Sequence, residues 1–378
     1  MPQSGYRYLR PVLEAKSWVE RTFPELVSRP CNLLNSMVSN KVIDNRRDAI
    51  IESIEHDWKS FLIISKHSTT FPIWFSATHP YTNQELGYIR FSKPEEMLEL
   101  TNYNASLHPE TMGLGCTSKC DKDYLAGNHG EGYKLAALAL LRDGYKVNVK
   151  TSKHTWTFYE DDRASVKYAK KLSVEIKKTD KKSARPTTGN IREDVTFKIS
   201  SGRLILTAEE VQNWMKLSLQ LNPPKEVIET EMGSLILDPN FSNKIFLKGI
   251  LYEDARVTKT DFLFGYNFSQ GQVNRDRQRL SNAHEQGKLL ADIWAKAIHQ
   301  CPSLVGQYIN MLQAHDPLPA DLELAERYIV ENTVQKIWQF LLNKDPNQKL
   351  FYYNIKGGKQ VHSFAKHSLV ILLTNCTS

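Results

Sequence analysis

The sequence of 378 residues lacks long apolar runs and contains only five cysteines. No uninterrupted apolar stretch approaches the roughly twenty residues that a membrane-spanning helix needs, and residues 1–7 lack the apolar core of a secretory signal. A small, odd number of cysteines argues against a disulfide framework and for a reducing compartment. These absences favour an intracellular protein, cytoplasmic or nuclear, that does not associate with membranes.

The chain does contain enough apolar residues for a large core, and one strongly basic region. Hydrophobic residues make up 41% and charged residues 24%, which is typical of a globular protein with two or three structural units. The region Lys146–Arg185 has twelve Lys or Arg and five Asp or Glu, an excess equal to the formal net charge of +7 for the whole chain. It is either a solvated, flexible insertion or a surface for nucleic acid or an acidic partner. Its paired lysines are Lys170 and Lys171, Lys177 and Lys178, and Lys181 and Lys182.

Three glycines in residues 127–132 run directly into the apolar stretch 135–141. Glycine lets bare backbone N–H groups approach an anion, and the N-terminus of the following helix adds partial positive charge and unpaired donors. The G-x-x-G-x-G spacing excludes two common loops: Tyr133 separates Gly132 from the lysine that a Walker A loop needs, and the dinucleotide fingerprint has the reverse glycine order. The pattern therefore predicts either a phosphate-binding turn of another class or a purely structural turn before a helix.

A polar pair opens a second predicted helix, upstream of the glycines. The apolar residues that follow Asn45 and Asp48 have a helical spacing, so the pair lies about one turn apart on one face. Aromatic and β-branched residues separated by polar turns then predict strands at 71–77, 86–91 and 97–101. The order is a helix with Asn-x-x-Asp-Ala, several strands, and a glycine-rich segment before another helix.

This order resembles the GHKL ATPases, which include DNA gyrase B subunits, the large ATP-driven heat-shock chaperones, sensor histidine kinases, MutL and the MORC proteins. The resemblance covers residues 40–160, and a further stretch, 264–277, is similar to uncharacterised fungal proteins with a histidine kinase/HSP90-like ATPase domain. It implies a GHKL-type (Bergerat) α/β sandwich that binds ATP and Mg²⁺.

The resemblance also implies roles for individual residues. Asn45 would bind the magnesium ion, Asp48 would support the same helix face, and Asn102 would recognise the adenine amino group. The arginines of residues 273–277 would take the phosphate-sensing role of the following domain, because a guanidinium binds phosphate oxygens bidentately. The full set of implied nucleotide-binding residues is Asn45, Asp48, Asn102, Thr117, Ser118, Lys119, Gly127, His129, Gly130, Glu131, Gly132, Lys134, Arg275 and Arg277.

Two departures from the family pattern affect the expected chemistry. Asn102 stands where the family has the Asp of Asp-x-Gly-x-Gly, which replaces a charge-assisted hydrogen bond with a neutral one at a cost of about 1 kcal/mol. Because an amide also donates, a purine with a carbonyl in place of the amino group stays open. Lys41 stands where hydrolytic members have a Glu that activates water. Hydrolysis is therefore slow or absent, unless Asp44 or Glu131 substitutes as the base.

The predicted organisation has five segments. Residues 1–39 are an N-terminal extension, 40–165 the nucleotide-binding module, 166–190 a basic linker, 191–280 a smaller mixed α/β unit similar to a transducer domain, and 281–378 a helical region whose apolar end indicates truncation of a longer protein. Within the second half, the patterns predict a strand at 194–199, a helix from the capping box Thr207–Glu210 to about 221, strands at 234–237 and 244–252, helical residues at 289–294 and a helix from about 320 to 342.

The sequence thus predicts a purine-nucleotide switch, in which a lid closes over ATP and Mg²⁺ and the following domain reads the closure. The alternative is a non-catalytic interaction protein that retains the fold and binds nucleic acid through Lys146–Arg185. A homodimer or a protein partner is compatible with either function.

Overall fold

The structure, a computed structural model of the chain, describes residues 62–79, 81–105, 107–112, 132–151, 154–161, 171–178, 194–252, 261–271, 283–313, 319–322 and 325–344. The chain forms two compact units, Met1–Asn222 and Pro223–Ser378. Each unit has a sheet of its own. None of the described helices is long and apolar enough to cross a bilayer.

The first unit is built on an eight-stranded antiparallel sheet. Its strands are β1 (Leu62–Lys66), β2 (Ile73–Thr78), β3 (Glu85–Ser92), β4 (Met97–Tyr103), β5 (Lys146–Thr151), β6 (His154–Asp161), β7 (Lys171–Lys178) and β8 (Asp194–Ser200). Their spatial order is β1-β2-β3-β4-β8-β5-β6-β7. The last strand in sequence therefore lies in the middle of the sheet, where it joins two hairpin-connected halves.

The two faces of this sheet differ sharply in polarity, because side chains alternate along each strand. One face, the apolar face, carries a continuous buried core formed by Phe91, Leu98, Leu100, Val147, Val149, Trp156, Phe158, Phe197 and Ile199. Helix α1 (Gly132–Arg142) packs on this face: its Tyr133 ring lies edge-on to Phe197 with centroids 6.1 Å apart. The opposite face carries polar and charged side chains.

Helix α2 (Ala208–Met215) begins at the predicted cap. The Thr207 hydroxyl accepts a hydrogen bond from the Glu210 N–H at 3.2 Å, which satisfies one of the free donors at the helix start. The Glu210 carboxylate does not return to the cap; it accepts from the Tyr145 hydroxyl at 2.5 Å and so ties α2 to the start of β5. The helix ends at Met215, earlier than the predicted 221.

The second unit has a five-stranded sheet of order β12-β11-β13-β10-β9. Its elements are β9 (Val227–Glu229), β10 (Gly233–Ile236), β11 (Ile245–Leu247), β12 (Ile250–Tyr252), β13 (Gly265–Phe268), α3 (Ala283–Gln300), α4 (Leu304–Leu312) and α5 (Glu331–Lys344). Most neighbouring strands are antiparallel, but β11 and β13 run parallel. The core lies between the sheet and the helices, centred on Trp294, Tyr266 and Tyr308.

A buried polar cluster fixes one turn of the second unit. The Asp321 carboxylate accepts hydrogen bonds from the backbone N–H groups of Leu263 and Phe264 at 2.8 and 3.3 Å, and from the Tyr266 hydroxyl at 2.5 Å. Burial raises the pKa of this carboxyl, although these hydrogen bonds oppose the shift. The side chain thereby holds residues 319–322 as a turn.

Several boundaries differ from those predicted. The strand at 194–199 is confirmed, but it belongs to the first sheet, between β4 and β5, and the division between units falls after Asn222. Residues 171–178, expected within a linker, form the edge strand β7. The predicted single helix at 320–342 is wrong: Asp321 lies in a turn, and α5 begins only at Glu331. The helical residues at 289–294 are confirmed within α3.

Candidate functional site

Three of the residues implicated in nucleotide binding are among those that the structure describes: Asn102, Gly132 and Lys134. The remaining ones lie outside the described residues, as do Lys41 and Asp44; they are Asn45, Asp48, Thr117, Ser118, Lys119, Gly127, His129, Gly130, Glu131, Arg275 and Arg277. Within the described ranges, no three His, Cys, Asp or Glu side chains lie close enough together to hold a metal ion. The candidate site is therefore built from β4, the strands beside it and α1.

Asn102 brings an amide onto the apolar face of the sheet. It follows Leu98 and Leu100 in the same alternating row of β4, and it is only 2% exposed. Its register partners are Gly87 on β3 and Val195 on β8. A buried amide can accept through its oxygen and donate through its nitrogen, so this position combines an apolar surrounding with directional polar recognition.

The register partner of Asn102 on β3 is a glycine, Gly87. A Cβ atom added to Gly87 would lie 2.2 Å from the backbone oxygen of Thr101, so no side chain fits there without moving the strand. Sequence reasoning did not single out Gly87, although a glycine inside a strand pattern signals the close approach of another backbone or a ligand. The glycine lets the backbones of β3 and β4 approach closely beside Asn102.

The start of α1 contributes positive charge to the same face. Gly132 is the first helical residue, and Lys134, two residues later, is only 7% exposed. The Lys134 ammonium lies 5.5 Å from the centroid of the Tyr133 ring, a cation–π contact. A cation in the first turn adds to the partial positive charge of the helix N-terminus instead of compensating it. This end of α1 is therefore electrostatically suited to an anion.

Tyr133 connects the start of α1 with the end of the short 3₁₀ helix Pro109–Met112. Its hydroxyl lies 3.5 Å from the Met112 sulfur, and its ring packs on Phe197. Residues 113–131, where the resemblance implies the ATP lid, lie outside the described residues, and Met112 and Tyr133 on either side of them are in contact. Phe197 pairs with Leu100, which lies two residues, roughly 7 Å, along β4 from Asn102.

An ion-pair network supports these strands on the other face. Glu99 lies between Arg90 and Lys198: its carboxylate is 2.6 Å from the Arg90 guanidinium and also contacts the Lys198 ammonium. Burial of Glu99 opposes its ionisation, but the hydrogen bonds from Lys198 and Arg90 outweigh burial and lower its pKa. One residue pair further along, the hydroxyls of Thr101 and Thr196 are 2.9 Å apart. These contacts fix β3, β4 and β8 directly behind Asn102.

Comparisons with known proteins find little in common with this chain. No protein-family model matches it, and no curated protein matches it. Among solved structures, it is similar to the crystal structure of the B-subunit of the DNA gyrase from Myxococcus xanthus, with 10% sequence identity and a TM-score of 0.29. That alignment covers 76% of this chain and 93% of the gyrase chain.

Proposed function

We propose that the first unit binds a purine nucleoside triphosphate, foremost ATP with Mg²⁺, in a GHKL-type site on the apolar face of its sheet. The observation that carries this proposal is the buried amide of Asn102 on the same face as the positive N-terminal end of α1, where Lys134 is buried. An apolar floor with one directional polar group suits a base, and a cationic helix end suits phosphates.

Recognition of the base falls to Asn102. Its amide oxygen accepts a hydrogen bond from an exocyclic amino group, and its amide nitrogen donates to a ring nitrogen or a carbonyl. Such a site discriminates between purines by which side of the amide the ligand engages.

Phosphate binding falls to the start of α1. Backbone N–H groups of the first turn, including Gly132, point along the helix axis toward the ligand, and Lys134 adds a full positive charge. The residues implied by resemblance complete the set: the glycines at 127 and 130 and the polar residues 117–119 on the lid side, and Asn45 for Mg²⁺. When bound, Mg²⁺ neutralises the triphosphate charge.

The proposed switch depends on the residues that flank segment 113–131. Because Met112 and Tyr133 touch each other, a ligand that contacts the start of α1 acts on both ends of the segment at once. We infer that this segment closes over the bound triphosphate and that Arg275 and Arg277 sense its phosphates. Lys41 stands in the place of a catalytic Glu, so hydrolysis is slow or absent. The closed state with bound triphosphate therefore persists, because no reaction ends it.

The test is a calorimetric titration of the purified full chain with ATP, with and without Mg²⁺, together with the thermal midpoint of unfolding. Binding to the folded state raises that midpoint by mass action. Gly130→Val is expected to abolish both signals by blocking backbone approach, whereas Gly306→Ala, in helix α4 of the second unit, serves as a glycine control. No heat and no shift at millimolar ATP with Mg²⁺ would contradict the proposal.

A further inference from the structure

The face of the first sheet opposite the candidate nucleotide site carries polar side chains, and we call it the polar platform. Its part on β3 and β4 includes the buried Ser92, Glu99 and Thr101, whereas its part on β5, β6 and β7 is largely exposed. Strand register places its residues in three rows that cross β3, β4, β8, β5, β6 and β7 in order. The rows are Tyr88, Thr101, Thr196, Lys150, Thr155 and Lys177; Arg90, Glu99, Lys198, Asn148, Thr157 and Glu175; and Ser92, Met97, Ser200, Lys146, Tyr159 and Ser173. Only Met97 lacks a polar group.

Positive charge dominates the platform. Its cations are Arg90, Lys146, Lys150, Lys177 and Lys198, and its carboxylates are Glu99 and Glu175. Both carboxylates already have partners: Glu99 lies between Arg90 and Lys198, and Glu175 is 3.0 Å from Lys177. Lys146 and Lys150 are exposed and make no ion pair within the described part of the chain. Two uncompensated lysines therefore stand in the middle of the sheet, between β8 and β6.

The spacing of the cations fits an extended anion. Asn148, between Lys146 and Lys150 on β5, is the register partner of Lys198. Each of the two lysines is therefore one strand and two residues from Lys198, a Cα separation of roughly 8 Å. The Cα atoms of the two lysines are roughly 13 Å apart. These are backbone spacings, and a chain of phosphates that runs along β5 can contact both lysines and Lys198.

An exposed aromatic ring lies beside these lysines. Tyr159 is 42% exposed, and the register that pairs Asn148 with Thr157 places it next to Lys146. On β3, at the other end of the platform, the Arg90 guanidinium lies 4.7 Å from the centroid of the Tyr88 ring. Aromatic rings among basic side chains bind single strands by base stacking together with phosphate contacts. A duplex has stacked, paired bases, and within the described residues the platform presents strands and no helix that could enter a groove.

We propose that the polar platform binds single-stranded nucleic acid, with Lys146 and Lys150 contacting phosphates and Tyr159 stacking on a base. The proposal relocates the basic surface expected from the sequence. Lys177 lies on the platform, but its neighbour Lys178 points to the opposite side of β7. Lys177 and Lys178 thus lie on opposite sides of β7 and do not form one surface. The lysines that we propose to contact phosphates are on β5.

The test is the fluorescence anisotropy of a labelled oligothymidylate titrated with the full chain at several salt concentrations. Lys146→Gln with Lys150→Gln is expected to lower affinity on the order of ten-fold near 0.1 M salt and to reduce the salt slope by about 1.4, because each single-strand phosphate contact contributes about 0.7. Tyr159→Ala is expected to weaken binding about five-fold or more without changing the slope, since stacking releases no counterions.

The matched control is Lys178→Gln with Lys216→Gln. It removes the same charge from exposed lysines off the platform, on the other side of β7 and at the end of α2, and is expected to bind like the wild type. Equal affinity and slope for the platform and control variants would overturn the proposal, as would equal binding of a duplex with no effect of Tyr159→Ala. ATP titration of the platform variant is expected to be unchanged, which separates this surface from the nucleotide site.

Discussion

The two faces of the first unit's sheet are formed by the same strands but carry side chains of opposite polarity. On β4, Leu98 and Leu100 point into the core, whereas Glu99 and Thr101 point into a network of ion pairs and hydroxyl contacts. The apolar face contains the buried amide of Asn102, and the polar platform contains two lysines, Lys146 and Lys150, that make no ion pair within the described residues. A polar group is therefore the exception on the apolar face and the rule on the platform, and for this reason our proposals rest on the amide on one face and on the excess of charge on the other.

The largest expected contrast concerns stability at two adjacent residues of β8. Phe197→Ala removes a buried ring that packs on Tyr133 and should cost about 3–5 kcal/mol. Thr196→Ala removes only the hydroxyl contact with Thr101 on the platform and should cost about 1 kcal/mol. Urea unfolding followed by circular dichroism measures both free energies. Equal costs would show that the two faces are not divided as the register indicates.

The next largest effect concerns the buried ion-pair network. Glu99→Gln leaves Arg90 and Lys198 without their carboxylate, and should lower the free energy of unfolding by about 2 kcal/mol at neutral pH, less than for a fully buried pair because both cations are partly exposed. The neighbouring change Thr101→Val serves as a control that alters the platform without altering its charge.

The stability of Glu99→Gln should also depend on pH differently from that of the wild type. Hydrogen bonds from Lys198 and Arg90 hold the pKa of Glu99 below its ordinary value of 4.5, even though burial raises it. A carboxyl whose pKa is lower in the folded than in the unfolded state contributes stability that is fully present above its unfolded pKa and is lost as the pH falls through its folded pKa. The wild type should therefore lose stability more steeply than Glu99→Gln below pH 4.5. Parallel curves would contradict the assigned role of Glu99.

An effect of similar size is expected for phosphate recognition on the apolar face. Lys134→Met keeps the length of the side chain and removes its charge, so ATP affinity should fall by about 1.5–3 kcal/mol while adenosine affinity stays the same. Calorimetry with both ligands measures the difference. If ATP and adenosine lose affinity equally, Lys134 supports the helix and does not contact phosphate.

Part of this fold follows from the sequence, and the reasons are local. The strands at 86–91 and 97–101 are confirmed within β3 and β4, and the Thr207 cap is confirmed, because aromatic content and capping chemistry are properties of neighbouring residues. The partners of β8 are not predictable in this way. Its place between β4 and β5 joins residues about one hundred positions apart in one case and about fifty in the other, and that pairing depends on the whole sheet.

Tertiary contacts also override a local pattern in the second unit. The residues around Asp321 have helical periodicity, but the carboxylate binds the N–H groups of Leu263 and Phe264, and this holds a turn where a helix was predicted. For the candidate site, the sequence identifies Asn102 at the end of a strand, whereas its orientation toward the apolar face and its glycine partner, Gly87, come only from register. The predictions for the other implicated residues, from Asn45 to Arg277, stay predictions.

The smallest expected change is also the most direct test of the central claim, that Asn102 recognises a purine on the apolar face. Calorimetric titration of ATP with Mg²⁺ into the wild type and into Asn102→Asp compares a neutral hydrogen bond with a charge-assisted one at a single position. We predict that both proteins bind and that Asn102→Asp binds ATP more tightly by about 1 kcal/mol, with no gain for GTP. Identical ATP affinities for the two proteins, or no binding by either, would contradict the account.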